Sequence, residues 1–582
     1  MTLPAPAVLA EDTQPALKPA FTRRADKALR VRAAGVSVLA ALIAVPVLAV
    51  VWTALAGDGG AGNWQALWNT VLPTYIQNTL VIGFGVALLT FLTGVATAWT
   101  VTMYAFPGRR FFEVALLLPL AMPAYVVAYA YTDFLDYAGP VQIFLRDMFG
   151  WQSPRDYWFP DIRSVGGAIA MMTLAFYPYV YLTARTAFVE QSANLLEAAR
   201  TLGGGQWESF RRVALPVAWP SIAVGLSLTL MEVISDFGVV QFFAVQTLTT
   251  GLFNVWLIMA DRAGGAQIAL VLLVFVAALL IGERRARIRK GYFALSSTHK
   301  RPVRRPLGRA ETGAAMLICF LPFAAGFLLP FGLLAQHALG HAGDMLSPDF
   351  LSMVSRSLGL AAAASLIVVA AGLGLAYSAR LGLNRTARAA IRVANLGYAI
   401  PGAVLAIGIM IPFGAFDRLV DDFMRAQFGV STGLILSGSV AGLLFAYLVR
   451  FLTISHGTLE SGLGRIRPSL DMAARSLGRT SFRTLTEMHL PLLRGSLLTA
   501  ALIIFVDVMK ELPATLLLRP FDFDTLATTA YSLASDERLN AAALPSLAIA
   551  LAGLIPVFLL SRAITHARDF ETGDETLPSP TS

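Results

Sequence analysis

Glu232 and Asp236 lie four residues apart in the run LTLMEVISDFG, and Asp507 and Glu511 repeat that spacing in IIFVDVMKELP. A spacing of four puts both carboxylates of a pair on one helical face. Carboxylate oxygens suit hard cations. Ionisable groups in otherwise apolar stretches are costly unless they are paired or face a water-filled cavity, so these four residues are candidates for a translocation pathway. The competing reading is that they cap helix ends and pair with Lys510 or a loop arginine. Tyr125 and Tyr129, and Tyr177, Tyr179 and Tyr181, offer phenol oxygens in neighbouring apolar runs, although tyrosines near span ends are ordinarily interfacial anchors. His337 and His341 have the spacing of two metal ligands on a helix, near Asp344. No convincing third ligand accompanies them, so a solvated helix end is the simpler expectation and no metal site is assigned.

The elements that position these groups follow from the composition. The chain has 582 residues, 56% hydrophobic and only 14% charged, where a soluble domain averages about 25% charged. A water-soluble enzyme is excluded. Apolar runs near the length of about 20 residues needed to span a bilayer occur at 33–56, 75–104, 114–132, 164–184, 213–231, 263–282, 312–336, 357–379, 393–416, 426–449, 495–506 and 539–561. The expected fold is all-α and polytopic, with about twelve transmembrane helices. The fifth and eleventh runs look short because the acidic residues interrupt them. Lys and Arg concentrate on alternate connections, with ten between Glu283 and Thr312. The positive-inside rule then places both termini in the cytoplasm, and the basic balance requires no nucleic acid. Cys319 is the single cysteine, which excludes internal disulfides and multi-thiolate metal sites.

The chain contains a duplication. LEAARTLGGGQWESFRRVALP at 196–216 and DMAARSLGRTSFRTLTEMHLP at 471–491 share seven of 21 positions at an offset of 275. AMP at Ala121 to Pro123 answers AIP at Ala399 to Pro401, and TLTT at Thr247 to Thr250 answers TLAT at Thr525 to Thr528. The organisation read from this is a cytoplasmic tail (1–32), a first transmembrane helix (33–56), repeat 1 (75–282), a basic linker (283–312), a seventh helix (313–336), repeat 2 (354–561) and a second tail (562–582). Six helices per half make the repeats parallel, with a pathway expected where they meet. At the offset of 275 Glu232 aligns with Asp507 and Asp236 with Glu511, so two-fold symmetry would gather four carboxylates. Counted from Pro216 at about 1.5 Å per residue, they fall in the outer half of the membrane.

The repeated loop has structure of its own. Ala198, Ala199 and Leu202 lie at helical spacing, Gly203 can close that helix in the left-handed conformation, and Leu215 with Pro216 opens the next span. A face of small residues admits close approach by another surface, and two copies imply two equivalent docking sites. This pattern resembles the EAA loop of binding-protein-dependent ABC importer permeases. Residues Glu197, Ala198, Ala199, Gly203, Val213, Leu215 and Pro216 match in the first copy, and Ala473, Ala474, Gly478, Met488, Leu490 and Pro491 in the second. The second copy has Met472 in place of the glutamate, with Asp471 just before it, so a salt contact made by Glu197 is expected to be lost or displaced there.

The resemblance covers about Tyr75 to Ser561. It implies the type I ABC importer permease fold in a bacterial inner membrane, two ATP-binding subunits docked on the loops, and an extracytoplasmic solute-binding protein delivering substrate. The long loop from Asp133 to Arg163 is a candidate surface for that delivery, or an interfacial helix. ISDFGVVQFFAVQTLTTGLF and VMKELPATLLLRPFDFDTLATTAYSLASDERL resemble the iron(III) branch, and less closely the fused thiamine permeases. Sulfate, polyamine and phosphonate remain alternative substrates. A gradient-driven secondary transporter and a membrane assembly protein are the rival classes. None of the five lysines ends a P-loop: Lys18, Lys27, Lys290, Lys300 and Lys510 are followed by Pro, Ala, Gly, Arg and Glu, where Ser or Thr is needed. ATP would therefore be used by the partner subunit, with no cofactor bound by this chain and no enzyme active site within it.

Overall fold

A computed structural model describes residues 20–56, 60–190, 205–288 and 304–569. Among them helices dominate; the one strand pairing is a two-residue parallel bridge of Tyr104–Ala105 with Arg305–Pro306. The principal helices are α1 (Ala20–Ala56), α2 (Leu72–Met103), α3 (Ala124–Leu135), α4 (Val165–Glu190), α5 (Leu215–Ser235), α6 (Arg262–Ile288), α7 (Arg309–Gly340), α8 (Pro348–Arg380), α9 (Gly402–Phe428), α10 (Val440–Gly464), α11 (Leu490–Met509) and α12 (Leu539–Asp569). Long aliphatic runs with every backbone N–H and C=O paired inside the helix are the form a chain can take in lipid.

Ten helices in the described residues are long and apolar enough to cross a membrane, or eleven if one bent pair counts as a span. This is fewer than the twelve expected, for identifiable reasons. The third run is broken: Arg109–Ala121 and Ala124–Phe149 meet at 92°, because Pro119 and Pro123 interrupt the helix around a 3₁₀ turn at Leu118–Ala121. In α12 the apolar part within the described side chains is Leu539–Ile555. Two further boundaries move. The run at 393–416 becomes α9, starting after Pro401, and the run at 426–449 becomes α10, starting at Val440. The intervening residues are apolar enough to pass as membrane. However, Gly429, Gly433 and Gly438 adopt φ of 68°, 63° and 66°, which only glycine takes readily. Asp421 accepts from the N–H groups of Thr432 and Gly433, and buried Asp417 from those of Ile435, Leu436 and Ser437. These carboxylates satisfy a turning backbone that would otherwise need water.

The duplication extends to individual bonds. Thr247 and Thr250 form a reciprocal capping box, as do Thr525 and Thr528. The Leu248 N–H donates to Thr79 Oγ1 at 3.1 Å, and the Leu526 N–H to Ser357 Oγ at 2.8 Å. A π-helical turn at Phe210–Ala214 leads into α5, and one at Leu485–His489 leads into α11. Two helix pairs cross closely at glycine: a Cβ on Gly94 would lie 2.9 Å from the Tyr181 nitrogen, and one on Gly372 3.0 Å from that of His456.

The helix preceding each repeat reaches across to the other. Helix α1 packs on α9 as well as α6, with Gly408 pressed against the Pro46 backbone. Helix α7 packs on α3 and α12, where Tyr131 donates to the Ala325 carbonyl at 2.7 Å. One large apolar core runs through both repeats, with a smaller cluster around Leu459, Leu463 and Leu493 near the second loop.

Candidate translocation site

Helices α5 and α11 both stop at their acidic residues. Helix α5 ends at Ser235 with Asp236 as its extended cap, and the chain restarts as Gly238–Phe242. Helix α11 ends at Met509 and restarts as Pro513–Leu518. The restarted segments need acceptors for their first N–H groups, and the second acid of each pair provides one. Asp236 Oδ1 accepts from Val239 at 2.9 Å. Glu511 accepts from the N–H groups of Ala514 (3.0 Å) and Thr515 (2.9 Å) and from the Thr515 hydroxyl (2.6 Å). The capping reading therefore holds for Asp236 and Glu511.

The two breaks face one cavity of about 90 Å³ between the repeats, and all four predicted carboxylates line it: Glu232, Asp236, Asp507 and Glu511. Lys510 lies 2.9 Å from Asp507, and Arg450 lies 3.7 Å from Glu511. Tyr398, from the second repeat, donates to Glu232 of the first at 3.3 Å. Tyr125 and Tyr179 complete the polar wall. Among the described residues no group of three or more His, Cys, Asp and Glu is arranged to hold a metal ion.

The second of the two repeated loops forms a helix at Pro468–Ser476. Ala474 is buried, and Ala473 and Met472 are exposed. Gly478, at φ +74°, ends the helix: its own N–H bonds to the Arg475 carbonyl and that of Arg479 to the Ala474 carbonyl, each at 3.0 Å. Asp471 accepts from Arg380 at 2.6 and 2.9 Å and pairs with buried His489 at 2.7 Å. Arg380 also donates to the Leu463 and Ile466 carbonyls. This half does carry a salt contact, one residue before Met472, at Asp471. Leu490 and Pro491 open α11, and Leu215 and Pro216 open α5. Glu197, Ala198, Ala199 and Gly203 lie outside the described residues.

Residues 91–283 match the family described as the binding-protein-dependent transport system inner membrane component. The chain is 25% identical, over 86% of its length and 91% of the relative's, to an Fe(3+)-transport system permease protein of Haemophilus influenzae. Over residues 91–283 the chain carries the permease domain of binding-protein-dependent importers. It is also 26% identical, over 88% of its length and 89% of the relative's, to a probable ABC transporter permease of Sinorhizobium fredii. A molybdenum transport system permease of Escherichia coli matches 38% of the chain and 94% of its own length at 26% identity.

Sequence reading of this permease missed Arg450. The run ending at 449 placed it at a helix boundary, whereas it sits mid-helix in α10 and faces the cavity. The glycines at 429, 433 and 438 were the signal that could have shifted that boundary. Tyr398 was missed as well, because the cavity wall it joins is built from both repeats. Of the other candidates, Tyr177 and Tyr181 are fully buried in the permease core, and Tyr129 is buried beside Phe242. His337 pairs with Asp133 at 2.8 Å, bridging α7 and α3. His341 caps the end of α7 through the His337 carbonyl. The loop from Asp133 to Arg163 contains a helix at Pro140–Phe149 with Ile143, Phe144, Met148 and Phe149 exposed, and Trp158 is also exposed.

Proposed function

We propose that this permease translocates iron(III), handed over by an extracytoplasmic binding protein and driven by two separate ATP-binding subunits. The observation that carries the reading is the balance of charge in the cavity: four carboxylates against one lysine and one arginine leave a formal excess of two negative charges in a space walled by protein. Such a field attracts a compact cation and repels an oxyanion. Carboxylate and phenol oxygens are hard donors that suit a hard trivalent ion. In this conformation the cavity has room for a few waters or a small, partly hydrated ion. A relative matching across most of both chains is named for Fe(3+) transport.

The two loops are the coupling elements. Met472, Leu477 and Phe482 stand 64%, 79% and 72% exposed around the second one, and Trp207 70% exposed beside the first. Apolar side chains presented this way suit a groove on an ATP-binding subunit. Movement of that subunit reaches the cavity through the turns at Phe210–Ala214 and Leu485–His489 and along α5 and α11, which carry the four carboxylates at their far ends. Alternating access follows if the subunit contacts the loops differently in its two states. Both termini would face the same cytoplasmic compartment as the loops.

The test is reconstitution with the ATP-binding subunit and the binding protein. Iron-loaded binding protein is expected to stimulate ATP hydrolysis and carry iron inward, whereas thiamine- or molybdate-loaded counterparts are not. Stimulation by molybdate instead would favour the oxyanion reading, in which Arg450 and Lys510 hold the substrate. In the same system Gly203→Glu with Gly478→Glu should release the ATP-binding subunit in a pull-down; retention of the complex would remove the loops from the mechanism.

A further inference from the structure

The alignment of the repeats makes the cavity look like a symmetric ring of four acids, but its side chains are not symmetric. On the second repeat both acids are already engaged. Asp507 is paired with Lys510 at 2.9 Å. Glu511 faces Arg450 at 3.7 Å while also accepting two backbone N–H groups and a hydroxyl. On the first repeat, the position equivalent to Lys510 is Ser235. Among the described residues no Lys, Arg or His lies within 4 Å of Glu232 or Asp236, although Lys510 also acts on Glu232 through space. The Asp236 carboxylate is met by the backbone N–H groups of Val239, at 2.9 Å, and Val240, and Glu232 accepts from the Tyr398 hydroxyl at 3.3 Å. The close ion pairs of the cavity are therefore confined to the second repeat.

A second observation points to the same cavity. Tyr125 lines the cavity and is only 4% exposed, yet its hydroxyl has no hydrogen-bond partner. Leaving a buried hydroxyl unpaired costs about 1–3 kcal/mol, and the fold does not relieve it. The ring is wedged against the chain just beyond Asp236: a Cβ on Gly238 would lie 2.5 Å from that of Tyr125. The hydroxyl is thereby held as an oxygen donor in the cavity, close enough to Glu511 and Asp236 to feel both charges.

We propose that the passing cation is held by the first repeat alone, through the carboxylates of Glu232 and Asp236 and the Tyr125 hydroxyl. Tyr398 of the second repeat orients Glu232. Asp507 with Lys510 and Glu511 with Arg450 form a neutral opposite wall that sets the break in α11 and does not bind the ion. The duplication has thus diverged into a binding half and a bracing half. This assignment rests on the cation reading above.

Terbium(III), a hard trivalent ion whose luminescence is sensitised by nearby tyrosine, is the probe. The permease is assembled with its ATP-binding subunits in lipid nanodiscs and titrated. The component of the signal lost in Glu232→Gln reports the site. Glu232→Gln and Asp236→Asn are each expected to weaken that component at least about tenfold, since loss even of an outer partner of a bound metal costs that much. Asn can still cap the segment after Asp236, so folding is preserved, as a matching thermal melt would verify. Lys510→Met, which frees Asp507, should tighten binding. Asp507→Asn with Lys510→Met, which removes a neutral pair, should leave the dissociation constant within about threefold of the wild type. A loss in that double variant as large as in Glu232→Gln would restore the symmetric ring and overturn the one-sided assignment while sparing the cation reading. No Glu232-dependent terbium signal in the wild type, with or without the ATP-binding subunits, would overturn both.

Discussion

Asp471 ties the second loop's helix, Pro468–Ser476, to the membrane helices, and Asp471→Asn measures how firmly. Its carboxylate takes two bonds from Arg380 and one from His489, with Asp471 and Arg380 side chains only 15% and 14% exposed. Asparagine fills the same volume but loses the charge and turns an N–H₂ toward one donor. A hydrogen bond to an ionised group is worth roughly 1 kcal/mol more than a neutral one. With donors from two partners affected, the helix should be held about 2 kcal/mol less tightly, equivalent to ~30-fold more frequent local opening. Hydrogen exchange reads this at the amides of Leu477, Gly478 and Arg479, whose bonds back to Ala473, Arg475 and Ala474 close the helix. Burial alone would raise the Asp471 pKa; the hydrogen bonds and charges of Arg380 and His489 outweigh it and hold the pKa below the usual carboxylate range. A depressed pKa contributes stability that is complete above the ordinary value near ~3.9 and disappears as pH falls through the lower folded value. Protection at these amides, corrected for intrinsic exchange, should therefore stay level from about pH 7 to pH 5 and fade below about pH 4. A change under threefold at these amides, or one spread evenly over α2 and α4, would refute the reasoning. Met472→Gln at the neighbouring exposed position is the control and should change little.

Thr79→Val and Ser357→Ala each remove the acceptor for a buried backbone N–H, that of Leu248 or Leu526. Each should cost about 1–3 kcal/mol, and the two losses should agree within about 1 kcal/mol in thermal unfolding if the repeats are energetically equivalent; a silent Ser357→Ala would count against that. Gly372→Ala places a methyl against Ser455 and the His456 nitrogen and should destabilise by about 1–3 kcal/mol. Gly374→Ala, with open space around its added Cβ, should be neutral or stabilising by comparison.

Much of the permease is legible in its sequence because the bilayer imposes simple rules. Apolar length gives α1, α2, α4, α6, α7 and α8 nearly as they stand. The offset of 275 pairs Glu232 with Asp507 and Asp236 with Glu511, and the structure brings all four to one cavity. Where the reading slipped, apolar composition and backbone geometry disagreed. Residues 429–439 are apolar but turn at three glycines under Asp417 and Asp421, and that turn moves Arg450 from a helix end to the cavity wall.

The sequence by itself determined that the chain crosses a membrane many times, that one segment pattern recurs at an offset of 275, and that each copy carries an Ala-Ala pair followed four residues on by glycine and a pair of acids four residues apart. These are one-dimensional properties: length, period and offset survive without coordinates. Only the tertiary structure decided that the equivalent acids differ. Lys510 is adjacent to Asp507 in the chain, but Arg450 reaches Glu511 from another helix, Tyr398 reaches Glu232 from the other repeat, and Tyr125 is left unpaired between them. The strength and sign of an ionic site depend on distances across a low-dielectric cavity, and those distances are set by how the two repeats pack.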